Sequence, residues 1–317
     1  GDDFWLAENP PFGAVITYHL AEGLTSLEDR RREDEKEKIE AGEPVFYPSW
    51  DDLRAEDREQ DPAIVLTIRD GAGEVVRRLE GPTGKGFHRV SWDLRYPPTD
   101  PIELRGGGER APWDRDPSGA LTVPGEYLVT LSQRVRGEET ELAGPVGFRT
   151  RLLERSSTPA ADFGATVAFQ REAAELNRTV QGAGRVLGDV ESRLDHIRAA
   201  VDRTPGLPRA LLDEVDAMAA RVADMRTAMW GDRTVTSRSE PATPGISSRV
   251  GRVLWGSRDI TSDPTATQAQ SLAIAREQFT PLLADLRRLV EEDLAALEER
   301  LDAAGAPYTP GRMPTLR

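Results

Sequence analysis

Residues 169–201 read FQREAAELNRTVQGAGRVLGDVESRLDHIRAAV, and this stretch decides the fold of the C-terminal half of the chain. Its apolar residues recur in alternating steps of four and three, the spacing that places them on one face of a long helix. The pattern predicts a helix that ends at residues 204–206, Thr-Pro-Gly. The residues on this face are Phe169, Ala173, Leu176, Val180, Ala183, Leu187, Val190, Leu194, Ile197 and Val201.

Two further helices with the same spacing are predicted downstream. One starts near Pro208, and the other opens at Asp263 and is stopped by Gly305. Because Pro281 lies inside the last pattern, we expect a kink or a register break at that residue. The acidic pair 298–299 is expected on the solvated outer face of the last helix. The apolar positions are Leu211, Val215, Met218, Val222, Met225 and Met229, then Leu272, Phe279, Leu283, Leu286, Val290, Leu294, Leu297 and Leu301.

These three amphipathic helices predict an up-down-up three-helix bundle over residues 160–305, followed by a C-terminal tail at 306–317. Residues 232–246 are rich in Ser, Thr and Pro and predict a loop, with a short helix at 248–255. The same apolar faces could instead pair with a helix of another chain in a coiled coil. The bundle is the preferred interpretation because three such helices can bury one another's faces.

Before residues 156–159 the apolar spacing changes to a period of two. Short β-branched or aromatic runs alternate with Gly and Pro, and Asp70-Gly71 is a hairpin dipeptide. Trp92 ends one alternating run and is expected to anchor the core, with Tyr127 packed beneath it. These features predict an Ig-like antiparallel β-sandwich over residues 1–155, so the chain is expected to be all-β plus all-α with two domains. The predicted strands are 12–20, 63–68, 74–79, 87–93, 125–131 and 147–152.

A charged insertion near residues 26–60 interrupts the predicted sandwich. Residues 28–38 read EDRRREDEKEK, and this mixture of both signs predicts a solvated helix or an excursion from the sheet. The second interpretation of the same stretch is a docking surface for another protein.

Composition excludes several classes of protein. The chain has 317 residues, which at about 150 residues per domain indicates two domains. Its 41 basic and 55 acidic residues give a net charge of −14, so nucleic-acid phosphates would be repelled. The absence of cysteine excludes disulfides, thiolate metal sites and cysteine nucleophiles, and no apolar run has the length of a membrane span. Residues 1–5, GDDFW, lack signal-peptide features, which leaves a cytoplasmic protein or a processed or partial chain as the expectations.

Residues 68–79, 86–95 and 123–129 together resemble the Ig-like module of flagellar hook-capping proteins, which also ends many secreted bacterial proteins. The chain also resembles the C-terminal region of sortilin-like, Asp-box β-propeller proteins, which are exported bacterial proteins often labelled glycosyl hydrolases. This resemblance rests on residues 9–18, the charged insertion, the strand end at 92–95 and the helical tail. The resemblance implies a periplasmic or extracellular location and a protein partner such as a β-propeller or a membrane-bound complex.

The sequence assigns no residue to a catalytic, cofactor-binding or metal site, and no cofactor is predicted. His19, His88 and His196 are isolated from one another and from any metal-binding or triad spacing. Gly71 and Gly73 mimic part of a dinucleotide-binding motif. However, they lie between two predicted strands, where no helix N-terminus could receive a phosphate.

The strongest candidate for a metal site is the turn of Asp114, Asp116 and Ser118. These residues match the first half of an EF-hand loop, in which oxygen ligands occupy alternate positions. The twelfth position is Gly125, so the bidentate glutamate of such a loop is absent. An acidic turn is therefore the preferred interpretation, and a calcium site is the alternative.

We expect from the sequence a protein that works by contact and is not an enzyme. It would be a non-catalytic accessory or interaction module, or a structural subunit of a larger exported assembly, for instance on the periplasmic face of a membrane complex. The expected contact elements are residues 26–42, 101–120 and 232–262, because long irregular segments in compact domains are often functional. The alternative is the C-terminal part of a sortilin-like propeller glycoside hydrolase, supporting a pocket outside this chain.

Overall fold

The computed structural model describes residues 12–102, 104, 117–153 and 157–314. The chain forms two compact units, one of Gly1–Pro97 with Leu121–Arg155 and the other of Pro98–Ala120 with Ser156–Arg317. The first, the sheet unit, contains two antiparallel sheets, and the described part of the second, the helical unit, contains only helices among its regular elements. The predicted change from strands to helices along the chain is therefore confirmed.

The sheet unit is built from six strands whose neighbours are all antiparallel. Strand β1 pairs with β4 in a two-stranded sheet, and the other four form a sheet of order β3-β2-β5-β6. The predicted hairpin at Asp70 joins β2 to β3, and Gly73 supplies the positive φ of 88° that the turn requires. The strands are β1 Ala14–Leu20, β2 Ala63–Asp70, β3 Val75–Gly81, β4 Gly86–Trp92, β5 Glu126–Val135 and β6 Glu138–Arg149.

Trp92 lies at the centre of the sheet unit and is fully buried. Its ring meets Tyr127 edge-on with 5.1 Å between ring centroids, and Phe148 packs in the same way at 6.0 Å. The indole Nε1 donates a hydrogen bond of 3.0 Å to the carbonyl oxygen of Arg95, so the only polar atom of the side chain is satisfied. The predicted roles of Trp92 and Tyr127 in the core are confirmed.

Strand β6 is longer than the sequence predicts and starts nine residues earlier. It turns back from β5 through Arg136 and Gly137, both with positive φ, as a tight hairpin requires. Along its length only Phe148 is even partly buried. Because this edge strand is exposed at most of its positions, its sequence lacks the alternation of apolar and polar residues that predicts a strand. The sequence pattern therefore predicts only the last residues of β6.

The charged insertion forms two helices, α1 Leu27–Glu40 and α2 Trp50–Arg58. Ser26 caps α1 in a capping box with Asp29, and the hydroxyl of Ser49 accepts a hydrogen bond from the amide of Asp52 at the start of α2. Neither helix contains a buried residue. The insertion is therefore the solvated helical element that its charge pattern predicts, with a second helix added.

Six α-helices build the helical unit. The apolar positions predicted for its first two long helices are all buried, except that Phe169 is partly buried. The helices are α3 Phe163–Asp202, α4 Ala210–Trp230, α5 Arg233–Thr236, α6 Ile246–Ser257, α7 Ala266–Arg288 and α8 Ala295–Ala303, and a π-helical turn at Leu289–Leu294 joins the last two.

Helix α6 corrects the interpretation of residues 232–262 as a long loop. It begins two residues before and ends two residues after the predicted short helix at 248–255. Its residues Ile246, Val250 and Val253 are completely or almost completely buried in the core that α3, α4 and α7 share. A fourth helix thus joins the three predicted long helices. Its apolar residues recur at helical spacing over only a few turns, which is too short a pattern to predict its full length.

The expectation at Pro281 is a kink or a register break, and the register break is wrong, because α7 runs through this residue without interruption. Proline lacks the amide proton that would reach back one turn, but Pro281 is exposed. The register change lies eight residues later, in the π-helical turn. It buries Leu289 fully and leaves Val290 only partly buried, which reverses the prediction for these two positions.

Glu298 is a further correction, because the pair 298–299 was expected to be solvated. Glu298 is buried, and its carboxylate accepts hydrogen bonds of 2.6 and 3.2 Å from the guanidinium of Arg193 on α3. The C-terminal tail also contacts the helices: Thr309 and Arg312 are buried, and Arg312 donates hydrogen bonds to Asp302. These polar contacts fix the end of α8 against α3.

Candidate functional site

The three histidines remain separate, as the sequence predicts. His88 bonds the carbonyl oxygen of Gly84 at 2.6 Å, and His19 packs its ring on Phe87 from the neighbouring strand. His196 bonds the carbonyl of the preceding helical turn. Among residues 12–102, 104, 117–153 and 157–314, no cluster of three or more His, Asp or Glu side chains could hold a metal ion.

Two of the three residues in the predicted acidic turn, Asp114 and Asp116, lie outside the described residues, as does most of the segment 101–120. Ser118 is described and lines a small cavity of the helical unit. In the part of the chain that the structure describes, no helix combines the length and hydropathy needed to cross a bilayer.

Three exposed aromatic residues of the sheet unit lie in the segment that joins α1 to α2 and at the first position of α2. Phe46, Tyr47 and Trp50 are 80%, 77% and 68% exposed, and Ile39 at the end of α1 is exposed beside them in the sequence. The rings of Tyr47 and Trp50 meet edge-on with 5.9 Å between their centroids. We call Phe46, Tyr47 and Trp50 the aromatic patch.

Proline and serine fix the backbone that presents the aromatic patch. Pro44 and Pro48 flank the two aromatic residues at 46–47, and each proline restricts its own φ and the residue before it. Ser49 then caps α2, so Trp50 occupies the first position of that helix. A rigid backbone reduces the conformational entropy that the aromatic patch would lose on binding.

Ion pairs, rather than an apolar core, join the two helices of the insertion. The guanidinium of Arg31 donates hydrogen bonds of 2.7 and 2.9 Å to the two carboxylate oxygens of Glu56, and a third of 2.9 Å to Glu35. The hydrogen bond from Arg31 is the main cause that lowers the pKa of the Glu56 carboxyl. At the base of the insertion the amide of Leu27 donates to the carboxylate of Glu59.

The aromatic patch lies in acidic surroundings. Residues 26–60 contain seven basic and thirteen acidic side chains, a net charge of −6. An exposed aromatic cluster within a charged rim has the composition of a protein–protein contact, in which aromatic residues form the centre and polar residues the edge.

A second apolar surface of the sheet unit lies along β1, β5 and β6. It is a groove of about 590 Å³ lined by apolar side chains that include Ile16, Leu131, Val146 and Phe148. Residues on the same side of β2, such as Ile64, are fully buried, whereas Val146 on β6 is largely exposed. The groove therefore marks the edge of the large sheet where the core ends.

Comparison with protein-family models, with curated proteins and with solved structures finds no match for this chain. The sequence contains a signal for the aromatic patch that the predictions missed: residues 46–50 hold three aromatic side chains in five, in a chain whose aromatic content is 6%. The predicted contact element stopped at residue 42, just before them.

Proposed function

We propose that this chain is a non-catalytic interaction module that binds a protein partner through the aromatic patch. The observation that carries the proposal is the exposure of Phe46, Tyr47 and Trp50 between two helices that have no buried residue of their own. A folding role does not explain these three side chains, because they bury little surface within the chain.

Binding would supply the burial that folding does not. An aromatic side chain buries about 150–250 Å² when it is enclosed, which at about 25 cal/mol per Å² is roughly 4–6 kcal/mol per ring before the costs of association. Trp and Tyr are also the residues that most often dominate the binding energy of interfaces. Burial of these three exposed rings by a partner would therefore be enough for a specific contact.

The partner surface is expected to be an apolar recess flanked by basic side chains. The net charge of −6 on residues 26–60 favours a basic rim and opposes anionic lipid or nucleic acid. The exposed guanidinium and ammonium groups of the insertion are mostly paired with carboxylates on the same helix, such as Arg32 with Glu28 and Lys38 with Asp34. The unpaired charge that faces a partner is thus acidic, and association should slow as salt rises.

The resemblance found in the sequence supports the finer parts of the proposal. These are an Ig-like class for the sheet unit, a three-helix plan for the helical unit to which α6 is added, and a periplasmic or extracellular location. They also include a place in an exported assembly beside a β-propeller or a membrane-bound complex. The burial of Trp92 between the strands supports the first of these parts.

Capture experiments with matched variants test the proposal. The chain is immobilised as wild type, as the double variant Phe46→Ser/Trp50→Ser, and as the control Phe87→Ser, which removes an equally exposed ring from β4. The expected result is one partner that binds the wild type and the control, and at least ten times less of it on the double variant. Hydrogen exchange on the purified pair should then show protection at residues 43–52.

Two results would contradict the proposal. One is equal retention of every captured protein by the wild type and the double variant. The other is protection confined to the groove on β1, β5 and β6 or to the helical unit, with residues 43–52 unaffected.

A further inference from the structure

The helical unit contains a small cavity of about 280 Å³, which we call the polar pocket. Helix α3 lines it with Gln170, Ala174, Asn177 and Gln181, whose steps of four, three and four place them on one face. Helix α6 forms a second wall, and residues 99–100 and 118–120 also line the pocket. The pocket is smaller than the 300–1,000 Å³ typical of sites for drug-sized ligands.

One buried amide oxygen in the polar pocket lacks a hydrogen-bond partner. Gln170 is 2% exposed, and its Nε2 donates to the carbonyl oxygens of Ser257 and Ile260 at 2.6 and 3.2 Å, while its Oε1 accepts from no described group. Asn177 is 7% exposed and lines the same pocket. Buried polar groups normally have partners, so the Gln170 oxygen points to a molecule that supplies one.

Helix α6 leaves space opposite these amides. At Gly251 an added Cβ would meet no atom within 4 Å, although the residue lines the pocket. Glycine is unfavourable inside a helix, so its presence is not explained by helix stability. At the rim, the ring of Trp255 is 76% exposed, and the guanidinium carbon of Arg258 lies 5.0 Å from its centre.

We propose that the polar pocket binds a small uncharged polyhydroxylated molecule about the size of one monosaccharide. Side-chain amides such as Asn177 and the hydroxyls of Ser118 and Ser247 both donate and accept hydrogen bonds, as a set of vicinal hydroxyl groups requires. The exposed ring of Trp255 offers an apolar surface for the C–H face of such a ligand. Among the described residues that line the pocket, the charged ones are Asp100 and Arg258, which have opposite signs and so favour neither cations nor anions.

The test uses the full chain and ligand-observed NMR. The probes are glucose, galactose, mannose and N-acetylglucosamine, with acetate and inorganic phosphate as charged comparisons. The variants are Asn177→Ala, which removes an amide that lines the pocket, and Gly251→Leu, which fills the space. The matched control is Gly188→Leu, at a helical glycine that also has open space but does not line the pocket.

We expect at least one sugar to bind with a Kd in the millimolar range or tighter. Both pocket variants should weaken binding at least tenfold, and Gly188→Leu should leave it unchanged. If Gly251→Leu does not fold by circular dichroism, Gly251→Ala replaces it, with a smaller expected loss. The proposal is overturned if no sugar binds, if a charged probe binds instead, or if the pocket variants bind as the wild type does. Because the aromatic patch lies in the other unit, the result of the sugar-binding test is independent of the proposed partner binding.

Discussion

Leu289 and Leu294 are five residues apart, yet both side chains are fully buried in the same core. An α-helix would turn the second leucine away, since only steps of three and four share a face. The π-helical turn at Leu289–Leu294 absorbs the extra residue and returns α8 to the core. The helical unit thus keeps a continuous apolar seam by distorting its backbone rather than by exposing a leucine.

Deleting one exposed residue from this turn should be tolerated. Loss of Glu291 shortens the step between Leu289 and Leu294 to four, which an α-helix accommodates. Loss of Glu277, equally exposed but in regular α7, rotates the two halves of that helix by about 100° relative to each other and misplaces the core residues that follow. Thermal unfolding should give a Tm near that of the wild type for the first deletion and a large decrease for the second. Similar Tm values for both deletions would contradict the role of the π-helical turn.

The pair of Arg31 and Glu56 should make the insertion sensitive to acid. Because the folded-state pKa of Glu56 is lowered, its contribution is complete above the ordinary Glu value of about 4.3 and is lost as the pH falls through the lowered folded pKa. The protection factors of the amides in α1 and α2, which compare each exchange rate with that of an unfolded chain at the same pH, should therefore fall below about pH 4. Glu56→Gln should show the lower protection already at pH 7, while Glu28→Gln, in a pair within α1, should behave as wild type.

Trp92→Ala should strongly destabilise the sheet unit. The substitution removes a fully buried ring and its contacts with Tyr127 and Phe148, a change that typically costs about 3–5 kcal/mol. Phe87→Ala, five residues earlier on the exposed face of β4, should change the free energy of unfolding by less than about 0.5 kcal/mol. Urea unfolding followed by tryptophan fluorescence and circular dichroism measures both, and equal effects would show that burial is not the cause.

Adjacent glutamates of α8 should respond differently to the same substitution. Glu298→Gln removes the charge that pairs with the partly buried guanidinium of Arg193, and we expect a loss of about 1–3 kcal/mol. Glu299→Gln changes an exposed side chain and should have an effect within about 0.5 kcal/mol. The free energies of unfolding of the two variants, measured in urea, should therefore differ clearly. A negligible loss of stability in Glu298→Gln would contradict this prediction and show that solvent already screens the pair of Arg193 and Glu298.

The long helices and the central anchor of the sheet unit could be predicted from the sequence because their signals are local. In α3 and α4 the buried face repeats every three to four residues over many turns, so each position from Ala173 to Met229 follows from its neighbours. Trp92 stands in an alternating strand, and its size leaves a core position as the favoured place for it. The mixed charge of residues 28–38 likewise predicted a solvated helix or an excursion there, but it did not predict α2.

The candidate sites depended on contacts that local spacing does not contain. Helical spacing places Glu298, four residues after Leu294 and three before Leu301, nearer the apolar face than Glu299. However, only the packing of α3 against α8 places Arg193 beside it. The amides of Gln170 and Asn177 follow the helical spacing of core residues, but the position of α6 decides that they line a cavity.

Sequence by itself determined the long helices, most of the strands and most of their apolar faces, because those properties arise from the periodicity of neighbouring residues. Tertiary structure alone decided which apolar side chains remain exposed. Phe46 and Val253 are both large and apolar, yet one projects to solvent and the other is buried against α3 and α7. Burial depends on whether a distant segment covers a side chain, and that is a property of packing rather than of composition.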